Sequence, residues 1–306
     1  MHGEHGRTPH PADQVIQRRH LRIALALISA FLVAEVVAAI AGRSLALLAD
    51  AGHLLVDVAA LAASLWAAHL AARPAGGVWT YGLKRAEILA AAVNGVTLVA
   101  LALVIVVEAV RRLTSAPSVV GSIVLLTAVA GLIVNAVATA VLARGQHRSL
   151  NIRGAFAHLL TDVYAFAGTA AAGLVILITG WGRADAIASL LVAALMGKAA
   201  YRLLRDAGRI LLQAAPESID LAEVRAHLID VPHVVDVHDL HVWTVTSGLP
   251  TLSAHVVLED HCFASGHAPQ LLDALQNCLA GHFDVTHSTF QLEPRTHLTH
   301  EVGAHR

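Results

Sequence analysis

Six apolar stretches, each long enough to cross a lipid bilayer, run at approximately residues 22–42, 45–72, 86–111, 119–143, 152–179 and 184–205. A hydrocarbon core about 30 Å thick needs about 20 helical residues, and lipid offers the backbone no hydrogen-bond partners, so each stretch predicts a membrane helix. With 56% hydrophobic and 14% charged residues, the chain is too apolar for an ordinary soluble enzyme. The formal net charge of -1 shows no basic field, so membrane lipid is the expected surroundings and nucleic acid is not a partner. The first stretch follows "RRHLR" and no small-residue cleavage site comes after it, which predicts a retained span and not a signal peptide.

Basic residues orient this bundle. Arg18, Arg19 and Arg22, then Arg73, Lys84 and Arg85, then Arg144, Arg148 and Arg153, then Arg202, Arg205 and Arg209 all fall on one side; the other holds Arg43, Arg111, Arg112 and Arg183. The asymmetry predicts both termini in the cytoplasm. In "YGLKRAE", Lys84, Arg85 and Glu87 either tie helix ends together by ion pairs or simply serve this topology.

After about residue 212 the composition turns soluble. "PESIDLAEVRAHLIDVPHVV" opens on a helix start, two β-branched runs follow around a Ser-Gly-Leu-Pro turn, and a helical pattern at about 267–282 precedes the strand "DVTHSTFQLE". The predicted architecture is therefore an all-α six-helix transmembrane bundle followed by a cytoplasmic α+β domain of ferredoxin-like α-β-β-α-β order. The expected boundaries are a disordered His-containing leader at 1–20, the transmembrane domain at 21–210, the cytoplasmic domain at 211–295 and a disordered end at 296–306. Cys262 and Cys278 lack CxxC spacing and read as reduced thiols.

Against the apolar background, "SLALLADAGHLLVDVAALAASLW" carries Asp50, His53 and Asp57. Residues four apart on a helix are separated by about 40° around the axis and one turn along it, so His53 and Asp57 can approach one point. "AFAHLLTDVYAFAG" repeats the spacing with His158 and Asp162. Facing helices would bring together two imidazoles and two carboxylates, the donor types and number of a tetrahedral Zn²⁺ site. A single buried polar residue can merely hydrogen-bond a neighbouring helix. Each ionisable group inside a bilayer costs about 3 kcal/mol even by lower figures, so two coincident pairs are hard to explain as packing. Asp50 lies on the same face one turn earlier without a counterpart; it either handles protons or bonds to a ligand. Glu35, Glu108, Asn94 and Asn135 either line a water-filled path or stitch helices together. Histidine is abundant, 20 against 21 Lys plus Arg, and His2, His5 and His10 stand in a polar leader that is disordered by default, with a loose metal-collecting role as the alternative.

"SLALLADAGHLLVD", "WTYGLKRAEILAAAVNG", "NIRGAFAHLLTD" and "VHDLHVWTVTSGLPTLSAHV" together resemble the cation diffusion facilitators, and within them the zinc-type exporters, over about residues 20–294. The resemblance implies a homodimeric exporter in the bacterial inner membrane, exchanging cytoplasmic Zn²⁺ for protons by alternating access, without an organic cofactor. The family's transport site maps onto His53, Asp57, His158 and Asp162. Manganese-transporting relatives carry a carboxylate or amide as the first ligand of each pair, so His at both positions favours a borderline ion such as Zn²⁺.

The resemblance also implies regulatory metal binding and dimerisation in the tail, with His238, His255 and Glu293 as the matching positions and His267 as a further ligand. The family's best-known tail site has His or Asp where this chain reads Gln291 and Glu293, which leaves the number of metals open. His238 and His241 are three apart and would point to opposite faces of a regular strand, so only one joins a site unless a bulge intervenes. After the second stretch the chain offers only His69, and no metal is expected there.

Rival readings keep the fold and change the ion to Co²⁺, Ni²⁺, Cd²⁺ or Fe²⁺, or make the chain a membrane metal sensor. A metalloenzyme is disfavoured: HExxH is missing, and four protein ligands leave no open coordination position.

Overall fold

The computed structural model describes residues 11–41, 45–114, 121–144, 149–181, 183–285 and 287–299. Within α2 the side chains of Asp50 and His53 lie outside the described residues, as do His2, His5 and His10 of the leader. The chain forms two compact units, one over residues 11–208 and one from residue 209 onward.

Among the described residues, six helices are long and apolar enough to cross a membrane: α1 (Pro11–Ala41), α2 (Leu45–Ala71), α3 (Ala86–Thr114), α4 (Gly121–Ala143), α5 (Leu150–Thr179) and α6 (Ala184–Leu211). Helix α1 is already formed over Pro11–His20, within the stretch expected to lack structure. Leu21 and Ile28 of α1, Leu54 and Leu61 of α2, Leu142 of α4, and Ile152 and Leu159 of α5 form one buried apolar cluster. Val104, Leu126 and Ile178 point outward, which suits a lipid-facing surface. Small residues set the closest approaches: a Cβ on Gly131 of α4 would fall 2.4 Å from the Phe166 ring of α5, and one on Gly95 of α3 would fall 2.8 Å from Leu204 of α6.

Polar bonds hold the helices in register. Asn94 of α3 donates from Nδ2 to Ser64 Oγ of α2 at 3.0 Å, and Asn151 of α5 donates to the Ser64 carbonyl at 2.7 Å. Asn94 therefore stitches helices, whereas Asn135 donates to the Gly131 carbonyl of its own helix at 3.1 Å. Glu35 is buried on α1, and Glu108 forms an exposed one-turn ion pair with Arg112. At the helix ends Ser149 Oγ donates to Glu87 at 3.1 Å, Arg153 pairs with Asp206, and Arg22 donates to His69 Nε2 at 3.0 Å. These contacts link α3 to α5, α5 to α6 and α1 to α2.

The second unit contains α7 (Leu221–Ile229), β1 (Val234–Thr244), β2 (Pro250–Leu258), the single turn α8 (His261–Ala264), α9 (Ala268–His282), β3 (His287–Pro294) and a 3₁₀ turn at Arg295–Thr299. Asp220 caps α7 by accepting from the Ala222 N–H at 2.8 Å. The sheet order is β1-β2-β3, with β1 and β2 antiparallel and β2 and β3 parallel. A parallel neighbour requires a crossover, which α9 supplies. Leu271, Leu275 and Leu279 recur every four residues on α9, and this stripe joins a core containing Val224 and Leu228 of α7 and Leu252 and Val256 of β2. The expected α-β-β-α-β order is present, with α8 inserted after β2.

Candidate metal centres

Asp57 on α2 and His158 and Asp162 on α5 are all buried, and each offers a ligand atom within 4.8 Å of the others. His158 Nε2 stands 2.8 Å from Asp57 Oδ1 and 4.0 Å from Asp162 Oδ2. An ionised carboxylate can only accept, so in this pairing His158 Nε2 carries the proton, and Nδ1 is the ring nitrogen left for another partner. That Nδ1 is buried and has no hydrogen-bond partner among the described residues. The four-residue spacing within α5 places His158 and Asp162 on one face, and α2 packs against that helix. His53 lies one turn ahead of Asp57 on α2, with its side chain outside the described residues; the same holds for Asp50. Two carboxylates and an imidazole sealed from water form a donor set for a divalent cation of intermediate hardness.

The tail brings His238, His255 and Glu293 together. His238 of β1 is the register partner of His255 on β2, and their ring centroids are 5.2 Å apart. Glu293 of β3, only 2% exposed, lies with Oε1 2.8 Å from His255 Nδ1 and Oε2 3.7 Å from His238 Nε2. Glu293 Oε2 is buried and accepts no hydrogen bond among the described residues. A buried carboxylate between two imidazoles suits a Zn²⁺-like ion.

Two further residues border this group that sequence reasoning did not single out. Asp239 Oδ2 lies 3.8 Å from His255 Nε2, and His297 Nε2 lies 3.9 Å from Glu293 Oε1. In a regular strand Asp239 would point away from His238, but the register shifts between His238 and His241 and Asp239 adopts a left-handed φ of 48°. This bulge turns Asp239 inward, while His241 stays exposed with Nε2 3.0 Å from Asp239 Oδ1. For His297 the signal was present as a residue one turn beyond Glu293. Gln291 donates to Glu293 Oε1 at 2.7 Å, at the position where the family's best-known site carries a ligand. His267 precedes α9 with its ring centroid 5.7 Å from that of His233, and it is not part of the His238–His255–Glu293 group.

Residues 21–212 match the cation efflux transmembrane domain, and residues 216–295 match the cytoplasmic domain of cation efflux proteins. The metal cation efflux system protein CzcD of Cupriavidus metallidurans is 40% identical over 275 residues, covering 90% of this chain and 86% of that protein. The solved metal-bound C-terminal domain of CzcD is 41% identical, with 24% of this chain and 99% of that one covered and a TM-score of 0.23. The cadmium, cobalt and zinc/H(+)-K(+) antiporter of Bacillus subtilis is 34% identical over 290 residues, covering 94% and 93%. The zinc transporter ZitB of Escherichia coli K12 is 37% identical over 314 residues, covering 100% and 98%. With six membrane helices and a cytoplasmic C-terminal domain, this chain is a multi-pass integral membrane protein; it belongs to the cation diffusion facilitator (cation efflux) family and is a transporter, not an enzyme.

Proposed function

We propose that the protein exports Zn²⁺ from the cytoplasm in exchange for protons, working as a homodimer by alternating access, with His53, Asp57, His158 and Asp162 as the transport ligands. The observation that carries this reading is the convergence of ligand atoms of Asp57, His158 and Asp162 within 4.8 Å of one another, all three residues buried in the helical unit. Two carboxylates held this close repel each other and lose hydration, and a divalent cation offsets both effects. Histidine binds metal only when neutral and aspartate only when ionised, so metal and protons compete for the same lone pairs. A cation entering the group takes the place of the proton between His158 and Asp57, and protonation from the far side releases it. The names of the antiporter and of the zinc transporter among the relatives support zinc and protons as the exchanged ions.

The same reading assigns residues 21–210 to transport and residues 211–295 to metal sensing and dimerisation, with both termini in the cytoplasm and the bundle in a bacterial inner membrane. The cytoplasmic domain would hold a regulatory Zn²⁺ through His238, His255 and Glu293, with His267 as a further ligand if its side chain turns from His233. Asp50 handles protons or bonds to a transport ligand.

Purified protein in liposomes tests the transport reading: Zn²⁺ is expected to accumulate against its gradient when a pH gradient is imposed. Zn²⁺ movement indifferent to the pH gradient would remove antiport. A second reading extends the cargo to Cd²⁺ and Co²⁺, favoured by the ions in the Bacillus subtilis relative's name. Competition among the ions in the same liposomes separates the two.

A further inference from the structure

A third set of metal-binding side chains lies where β1 begins and β2 ends. His233 immediately precedes β1, Glu259 follows β2, and His261 and Cys262 open α8. The Glu259 N–H donates to the His233 carbonyl at 3.1 Å, and the Cys262 N–H donates to the Glu259 carbonyl at 2.9 Å. These bonds fold α8 back over the strand ends and bring the four side chains to one place. His233 occupies a left-handed φ of 69°, a conformation that residues other than glycine seldom adopt.

One oxygen organises the imidazoles. Glu259 Oε2 lies 2.9 Å from His233 Nδ1 and 3.4 Å from His261 Nδ1. Both histidines are thereby held with Nε2 as the outward nitrogen, and His261 Nε2 lies 3.8 Å from Cys262 Sγ. For a tetrahedral ion with Zn–N of about 2.0 Å and Zn–S of about 2.3 Å, the two donors would stand about 3.5 Å apart. The His233 and His261 rings meet edge to face with centroids 5.1 Å apart. His233, His261 and Cys262 each offer a ligand atom within 4.8 Å of the others.

We propose that His233, His261 and Cys262 form a second metal site of the cytoplasmic domain, for thiophilic divalent ions such as Zn²⁺ and Cd²⁺, in which Glu259 orients both imidazoles. A carboxylate on the far nitrogen of a metal-bound histidine fixes its tautomer and raises its basicity, and Glu259 Oε2 stands against Nδ1 of both histidines. Cys262 is buried while both imidazoles are exposed, so the sulfur anchors the site from the protein side and ions reach it from water. Three ligands leave a fourth position for water or for His267, whose ring already packs against His233. The thiol distinguishes this site from the His238–His255–Glu293 group and ranks ions differently. The two sets share no ligand, so each can take an ion of its own.

The test uses the full-length protein in detergent micelles, titrated with Co²⁺ under reducing conditions. The chain has two cysteines, so a thiolate-to-cobalt charge-transfer band has two origins to separate. The band is expected in wild type and in Cys278→Ser, and is expected to vanish in Cys262→Ser. His233→Ala and His261→Ala, which change exposed residues, should raise the Co²⁺ midpoint at least about tenfold, and Glu259→Gln about 10- to 100-fold. His238→Ala should leave it within about twofold if the sites are separate. Cd²⁺ should displace Co²⁺ where Mg²⁺ does not. Absence of the band in wild type, its survival in Cys262→Ser, or a midpoint unmoved by both histidine variants would overturn the site. Equal displacement by Mg²⁺ would overturn its thiophilic character. If Cys262→Ser does not fold, the two histidine variants decide.

Discussion

His158 of α5 reaches α2 and places its Nε2 2.8 Å from Asp57 Oδ1, with both side chains sealed from solvent. Asp57→Asn keeps the shape of the group and removes its charge. Zinc transport in liposomes should then fall at least about tenfold, a loss of only about 1.4 kcal/mol of interaction with the ion. Asp236→Asn, a change in the cytoplasmic domain outside both tail groups, should stay within about twofold of wild type. Equal rates for Asp57→Asn and wild type would place the transport site elsewhere.

Ser64→Ala should destabilise the helical bundle. It leaves the buried Asn94 amide without its acceptor while the Asn151 bond to the Ser64 carbonyl persists. An unsatisfied buried donor costs about 1–3 kcal/mol. Denaturation in detergent should show the loss, and Asn94→Leu added to Ser64→Ala should recover part of it. A Ser64→Ala protein as stable as wild type would mean that the Asn94 bond carries no net weight.

Gly131→Leu should also destabilise, for a steric reason. Even a Cβ at this position meets the Phe166 ring at 2.4 Å. Overpacking of this kind costs about 1–3 kcal/mol. Phe166→Ala in the same chain opens the space, so the double variant should be more stable than Gly131→Leu alone. Additive losses would show that the two residues do not press on each other.

Cys278 should react slowly with alkylating reagents until the pH is well into the alkaline range. Burial, and then the nearby Asp230 carboxylate, push its thiol above the usual range. Its Sγ also donates to the His227 carbonyl at 3.8 Å. A folded-state pKa raised above the unfolded value contributes stability that is fully present below the unfolded pKa and is lost as the pH rises through the folded one. Alkylation of a Cys262→Ala protein isolates this thiol. Its rate midpoint should lie above about 8.5, the free-thiol value, and should fall to it on unfolding. A folded-state midpoint at or below that value contradicts the assignment.

Helices and their order were legible because lipid-scale apolar runs admit few alternatives, and the tail order followed from alternating β-branched runs and turn residues. The pairing of α2 with α5 was legible because the four-residue spacing of His158 and Asp162 repeats that of His53 and Asp57. Asp239 was not, since the face of a strand residue follows from regular alternation, which the bulge after His238 breaks. The set at His233 and Cys262 also escaped the sequence, because His233 is far along the chain from the adjacent His261 and Cys262 and meets them only through the turn into α8. Asn151 escaped for a similar reason. Its partner is a backbone carbonyl on another helix, and no side-chain pattern marks such an acceptor.

Ser64 stands seven residues beyond Asp57 on α2, about 10.5 Å along the helix axis. There α2 is fastened to α3 through its hydroxyl and to α5 through its carbonyl. Such a double fastening works as a fulcrum. A tilt of α2 that widens the gap to α5 at Asp57 must either turn about Ser64, keeping both bonds, or break two buried bonds at once. The first course converts a small rotation at the fulcrum into a larger displacement at the carboxylate, two turns away.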